Sequence, residues 1–158
     1  ELERLAGACQ HLQHLFARRW SVGDLVAFHT AHKLTLMAHS PVAYRELGQL
    51  VAGAKGRPRG EVVRDYQSGF MRALAVIATP KKHANVLQHM LGYFKDALDA
   101  DAKAELLGLI EDHRIGRVPL IVPLTLFAHY VRRIGVPYLA GQAYLAPHPR
   151  ELSLRNHV

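Results

Sequence analysis

The chain has 158 residues, 49% hydrophobic and 21% charged, and its 20 Lys+Arg against 13 Asp+Glu leave a net charge of +7. That length suits one domain with a single sizeable core, and the composition excludes disordered and fibrous classes. No apolar run reaches the roughly 18 residues of a membrane span, and the longest, from Val118 to Ala128, is interrupted by Pro119 and Pro123, so no membrane partner is expected.

Helix signals recur along the chain and strand signals are nearly absent. Leu2 to Arg19 reads as a helix, so residues 1–20 form an N-terminal helix or joining segment ahead of an all-α domain over 21–158. Ser21 caps a helix running to about His39, with Asp24 at the capping-box position. Ser40-Pro41 is a cap followed by proline at the first helical position, opening a helix to about Ala52. The stretch AKGRPRG (54–60) is a loop by its glycines and proline. Apolar residues at helical spacing, from Val62 to Ile77, predict a helix over Glu61 to Ala78. Thr79-Pro80 starts another to about Leu98. Asp99 caps Ala100 to Ile115, with Gly116 as the stop. Pro119 to Ile134 and Pro137 to Leu145 complete a single compact domain of seven or eight helices. Pro119 to Ile134 is expected to be the most buried, because Leu120 to Ala128 are apolar nearly all round.

The segment FHTAHKLTLMAHSP (28–41) places three histidines and a lysine within an apolar stretch. On a wheel of about 100° per residue, His29, His32, Lys33 and His39 share the arc of Leu25, Val26, Phe28, Leu36 and Met37. The opposite side carries Ala27, Ala31, Leu34 and Ala38. This helix therefore packs on most sides and turns its polar groups inward or into a cleft. A single buried histidine is usually satisfied by a backbone carbonyl, whereas a buried lysine demands a partner. His29 and His32 have the i, i+3 spacing that can share a metal ion, but nothing in the helix completes a ligand set, so no metal is expected.

In TPKKHANVLQHMLGYFK (79–95), Lys81 and Lys82 fall in the first helical turn, with His83 on the apolar arc. Positive charge there opposes the helix dipole, yet free N–H groups plus two lysines suit a phosphate or carboxylate. A merely solvated surface pair is the competing reading. The basic surplus as a whole points to an anionic partner. Lys55, Arg57 and Arg59 offer cations on a glycine-rich loop, and Arg155 and His157 are donors on a non-helical tail. The candidate anion- or nucleotide-binding set is thus His29, His32, Lys33, Lys81, Lys82, His83, Arg155 and His157. Tyr44, Tyr93 or Tyr130 is available as a stacking face. These residues converge in one cleft if the start of the 79–95 helix faces the 28–39 helix across a phosphate-sized gap.

One cysteine, Cys9, leaves no internal disulfide and no iron–sulfur cluster held by this chain alone, since such clusters take about four thiolates. No charged-then-apolar leader is visible, so the expectation is a cytoplasmic chain with no cofactor of its own.

The segments VAFHTAHKLTLMAHSPVAYRELGQLVA, TPKKHANVLQHMLGYFK, RVPLIVPLTLFAHYVRR and PYLAGQAYLAPHPRELSLRNHV, in this order, resemble the YbgA-like family of bacterial and archaeal proteins. The resemblance spans about Val22 to Val158, and the HLFARRW ending of residues 1–20 is similar to the joining segment of fused members. Family members occur alone or behind a cysteine-bearing module that desulfurises thiouracil compounds through an iron–sulfur cluster, and some are encoded beside DNA photolyase. The resemblance therefore implies a nucleotide- or nucleic-acid-binding accessory domain, a partner in thiouracil or thiouridine desulfidation or in DNA repair. Two alternatives stand beside it. One is an enzyme acting on a phosphorylated or thiolated nucleoside with His29, His32 or His83 as acid–base groups, although no nucleophile–base pair supports catalysis by this chain alone. The other is a purely structural docking domain for the desulfidase module.

Overall fold

The computed structural model describes residues 2–145, so Arg155 and His157 of the candidate set lie outside the described residues. Among the described residues there are nine α-helices and no strand: α1 (Leu2–Ala17), α2 (Val22–Ala31), α3 (Lys33–His39), α4 (Pro41–Ala52), α5 (Arg59–Ala75), α6 (Pro80–Gly92), α7 (Ala100–Arg114), α8 (Ile121–Tyr130) and α9 (Pro137–Ala140). No helix among them is long and apolar enough to cross a membrane.

Four helix starts follow from local chemistry. Ser21 and Asp24 form a reciprocal capping box at α2, with bonds of 3.0 and 2.9 Å. Ser40, Thr79 and Asp99 each accept from the backbone N–H three residues on, opening α4, α6 and α7, the first two with proline at the first position. Gly116 takes the left-handed conformation after α7 (φ 83°) that glycine adopts at little cost. Four expected helices end early: α5 stops at Ala75 rather than Ala78, and α9 at Ala140 rather than Leu145. α6 stops at Gly92 and gives way to a 3-10 turn at Lys95–Ala97, and α8 passes into a π-turn at Val131–Gly135.

The expected helix over 22–39 is broken at His32, and the cause lies far away in sequence. In a continuous helix the Leu34 N–H would bond to the Thr30 carbonyl. Instead the Gln142 amide occupies that rung: its Nε2 donates to the Thr30 oxygen (2.8 Å) and its Oε1 accepts from the Leu34 N–H (3.3 Å). A side chain inserted into the ladder is a recognised cause of a kink. Gln142 is buried, so both backbone groups lose water and gain a fixed partner.

Two apolar clusters flank the short helix that follows. The first gathers Leu12, Leu15 and Trp20 with Phe28, Leu47, Tyr66 and Phe70, from α1, α2, α4 and α5. The second gathers Leu87, Met90, Phe94, Leu106, Ile110, Phe127 and Leu139, from α6 to α9. α3 lies between them, with Leu36 in the first cluster and Leu34 and Ala38 in the second. Five of its seven residues are buried. α3, not α8, is therefore the enclosed helix: Ile121 of α8 is half exposed, and Thr125 and His129 are exposed as well. An apolar pattern permits burial on every side, but neighbours must be present on every side to supply it. For the same reason, the expected packing on most sides holds for α3 and fails for α2, whose Val26, Ala27 and Thr30 are exposed.

Candidate functional site

The break at His32 lets the polar groups of α2 and α3 reach different partners. Lys33, the first residue of α3, is half-buried, and its ammonium lies 5.9 Å from the ring centre of Tyr44 and 5.8 Å from that of Tyr138. No carboxylate pairs with it among the described residues, so aromatic faces partner the charge. Tyr138 stacks in turn on Tyr93, with ring centres 4.7 Å apart. Burial, with help from the Tyr93 and Tyr44 phenols, pushes the Tyr138 hydroxyl above the ordinary phenol range. Tyr44 and His29 come from the first half of the chain, and Tyr93 and Tyr138 from the second. The cluster thus sits where the two halves meet.

His29 is buried and stacked parallel on Tyr44, with ring centres 4.9 Å apart. Its Nδ1 lies 3.0 Å from the hydroxyl of Tyr66, and its Nε2 has no hydrogen-bond partner among the described residues. Burial pushes its pKa down to about 4, and pushes the Tyr66 phenol up, with a smaller contribution from Tyr44. His32 turns the other way, with its Nε2 2.8 Å from Nδ1 of His11 on α1. Burial first, then His11 and His29, lowers its pKa to about 4. The two imidazoles with metal-like spacing therefore serve separate partners.

The lysine-bearing end of α6 is a different place. Lys82 donates from its ammonium to the carbonyls of His39 (2.9 Å) and Ile77 (3.0 Å), and His39 donates from Nδ1 to the Val76 carbonyl (2.7 Å). Together they tie the C-terminus of α3 to the segment before α6, where cationic donors suit unsatisfied carbonyls. Lys81 is exposed. His83 is buried with its Nδ1 2.7 Å from the Tyr144 hydroxyl, and its ring centre is 6.0 Å from that of His113. Arg4 of α1 covers the Tyr144 ring at 5.0 Å.

Lys33 thus stands at one end of α3 and Lys82 binds the other, roughly 9 Å of helix apart at 1.5 Å per residue. The structure brings together His29, Lys33, Tyr44, Tyr93 and Tyr138, and groups Lys82 and His83 elsewhere. Tyr130 lies against Phe94. Of the loop cations, Arg57 is held by Asp65 and Glu61, and Arg59 covers Trp20 while donating to its carbonyl. Sequence reasoning missed Tyr66, Tyr138 and Gln142, whose partners His29, Leu34 and Lys33 lie far away along the chain.

A family profile described as a protein of unknown function (DUF1722) matches residues 33–149. The chain is also 33% identical over 153 residues to "Uncharacterized protein YbgA" of Escherichia coli (strain K12), covering 94% of this chain and 89% of that relative. No solved structure matches it significantly.

Proposed function

The chain belongs to the YbgA-like family, and from that premise we propose that it is a nucleotide- or nucleic-acid-binding accessory domain whose ligand is held at the Lys33 cluster. One observation carries this reading: an ammonium flanked by two tyrosine rings at the junction of the two halves, with no carboxylate partner among the described residues. A base stacks on such rings for about 1–3 kcal/mol, and the ammonium draws its phosphate. The net charge of +7 favours the same class of ligand. The partner named by this reading is a thiouracil or thiouridine desulfidase module, or DNA repair machinery, and its compartment is the cytoplasm.

The enzymatic alternative is less well supported. A histidine whose pKa is about 4 is neutral at pH 7 and a weak base there, far from the value that suits general acid–base catalysis. The docking alternative predicts binding to the desulfidase module and to no small ligand.

Fluorescence anisotropy with a labelled single-stranded oligonucleotide tests the proposal. Lys33→Leu is expected to keep the fold, weaken binding about tenfold and flatten the salt dependence by a slope of about 0.7. Equal binding by Lys33→Leu and the parent, or no binding by either at low salt, overturns it.

A further inference from the structure

α1 and α2 enclose a trough, and none of the residues lining it belongs to the Lys33 cluster. His11 of α1 meets His32 just beyond α2, and the chain turns back between Ala17 and Val22, so the two helices run antiparallel. One wall carries His11, His14 and, just past the end of α1, Arg18; α2 contributes Ala27 and Ala31. Leu15 and Phe28, both buried, supply its apolar base. The cavity measures about 670 Å³, within the roughly 300–1,000 Å³ of small-ligand sites.

The basic wall gathers groups of one sign, which repel at helical spacing. His14 and Arg18 are exposed, and no carboxylate pairs with either among the described residues. Burial first, then His14 and Arg18, lowers the pKa of His11, so the three groups feel one another. Asp24 is the one carboxylate on the trough, and it already accepts from the Ser21 backbone N–H at 2.9 Å in the α2 capping box. The C-terminus of α1 favours cations, but the N-terminus of α2 beside it offsets that preference. His11 is held in place, with Nδ1 2.8 Å from His32 Nε2 and its ring 5.0 Å from that of Phe28, which leaves Nε2 as its remaining polar atom. Opposite it, the small side chains of Ala27 and Ala31 keep the trough open.

We propose that this trough binds a small organic anion, its charged head against Arg18, His14 and His11 and its apolar body against Leu15, Phe28 and Ala27. Arg18 offers paired N–H donors that suit a carboxylate or a phosphate. The apolar lining adds a requirement that a bare inorganic ion does not meet. A bound anion also favours the charged form of His11. Protonated His11 donates from Nδ1 to the Nε2 of His32, which burial keeps neutral above about pH 4, so charging the ring preserves that bond. Affinity should therefore rise as pH falls from the bound-state pKa of His11 to its lower free-state value, and level off below it. Of the other groups on the trough, His14 acts in the same direction when protonated, Arg18 stays charged, and capping bonds from Ser21 hold the pKa of Asp24 low.

Benzoate and phenyl phosphate are suitable probes, followed through the ring resonances of His11 and His14 in the full chain. At least one should bind with a Kd of about 1 mM and raise the pKa of His11. Benzyl alcohol, with a ring and no charge, and inorganic phosphate, with charge and no ring, should each bind about tenfold more weakly or worse. Arg18→Gln should weaken the bound probe about tenfold, through loss of its paired donors. Ala27→Leu, at an exposed position of α2, should fold as the parent does and abolish binding by filling the trough. Lys33→Leu should leave probe binding unchanged. The inference fails if neither aromatic anion binds, or if benzyl alcohol or inorganic phosphate binds as tightly as they do. It also fails if Arg18→Gln and Ala27→Leu bind the probe as the parent does, or if Lys33→Leu abolishes binding and so places the probe at the other cluster. Movement of His11 and His14 by the oligonucleotide but by neither aromatic anion would assign the trough to a nucleic-acid surface and overturn it, while the proposed function stands.

Discussion

Among the described residues, a histidine–tyrosine hydrogen bond is buried in each half of the molecule. His29 meets Tyr66 at 3.0 Å in the first cluster, and His83 meets Tyr144 at 2.7 Å in the second. Each joins residues distant in sequence, and each buries an imidazole beside an aromatic ring. Their surroundings separate them. The second pair lies among His113 and the guanidinium of Arg4, and the neighbouring Lys82 is committed to two backbone carbonyls. Among the described residues a buried ring nitrogen lacks a partner in each place, Nε2 of His29 in the first and Nε2 of His113 in the second, and what differs is the lysine nearby: Lys33 lies against tyrosine rings where Lys82 binds carbonyls. The same bond therefore occurs beside a cation held by carbonyl oxygens and beside one that meets aromatic faces, and the cation's partner separates the two places.

Truncating each tyrosine tests that contrast most forcefully. Tyr66→Ala and Tyr144→Ala each remove a buried ring and a hydroxyl, and each should lower stability by about 3–5 kcal/mol in urea unfolding. The two should part on ligand binding: folded Tyr144→Ala keeps its oligonucleotide affinity, and Tyr66→Ala loses it. Equal losses of affinity would erase the distinction between the halves.

Acid should weaken the first half specifically. His29 and His32 have folded pKa values of about 4, below the usual value of 6.5. Above pH 6.5 both states leave them neutral, and stability does not depend on them. Between pH 6.5 and 4 the unfolded chain takes up protons that the folded one refuses, so stability falls as pH falls. The slope is up to about 1.4 kcal/mol per pH unit for each histidine. Below pH 4 both states are protonated and the dependence ends. Denaturant midpoints measured from pH 7 to 4 should show this fall, and His32→Gln should make it shallower. An unchanged slope in that variant would mean that His32 is not held neutral.

The smallest expected effect falls where the halves touch. Gln142→Ala removes the amide that fills the broken rung between Thr30 and Leu34 and should cost about 1–3 kcal/mol by urea unfolding. The effect should be felt on both sides, because the variant frees α2 to run straight into α3 and moves Lys33 relative to Tyr44. A loss of stability with oligonucleotide binding intact would show that the kink serves packing alone.

What the sequence determined by itself is the set of features closed within a few residues. The all-α class and the caps at Ser21, Ser40, Thr79 and Asp99 were readable, because a cap is a bond between positions three apart and needs no tertiary partner. The inward turn of His29, His32 and His39 was likewise written in the helical period, and all three are buried. Tertiary structure decided which groups those side chains meet. Lys33 was expected to need a phosphate or a carboxylate, and it found the rings of Tyr44 and Tyr138 from opposite halves of the chain. Lys82 was read as part of an anion site at a helix start, and its ammonium reaches back to cap α3. The break at His32 had no local sign, since Gln142 enters the ladder from more than a hundred residues away. Local hydrogen bonds are set by spacing along the chain. The partner of a buried polar group is set by which helices the two apolar clusters bring side by side.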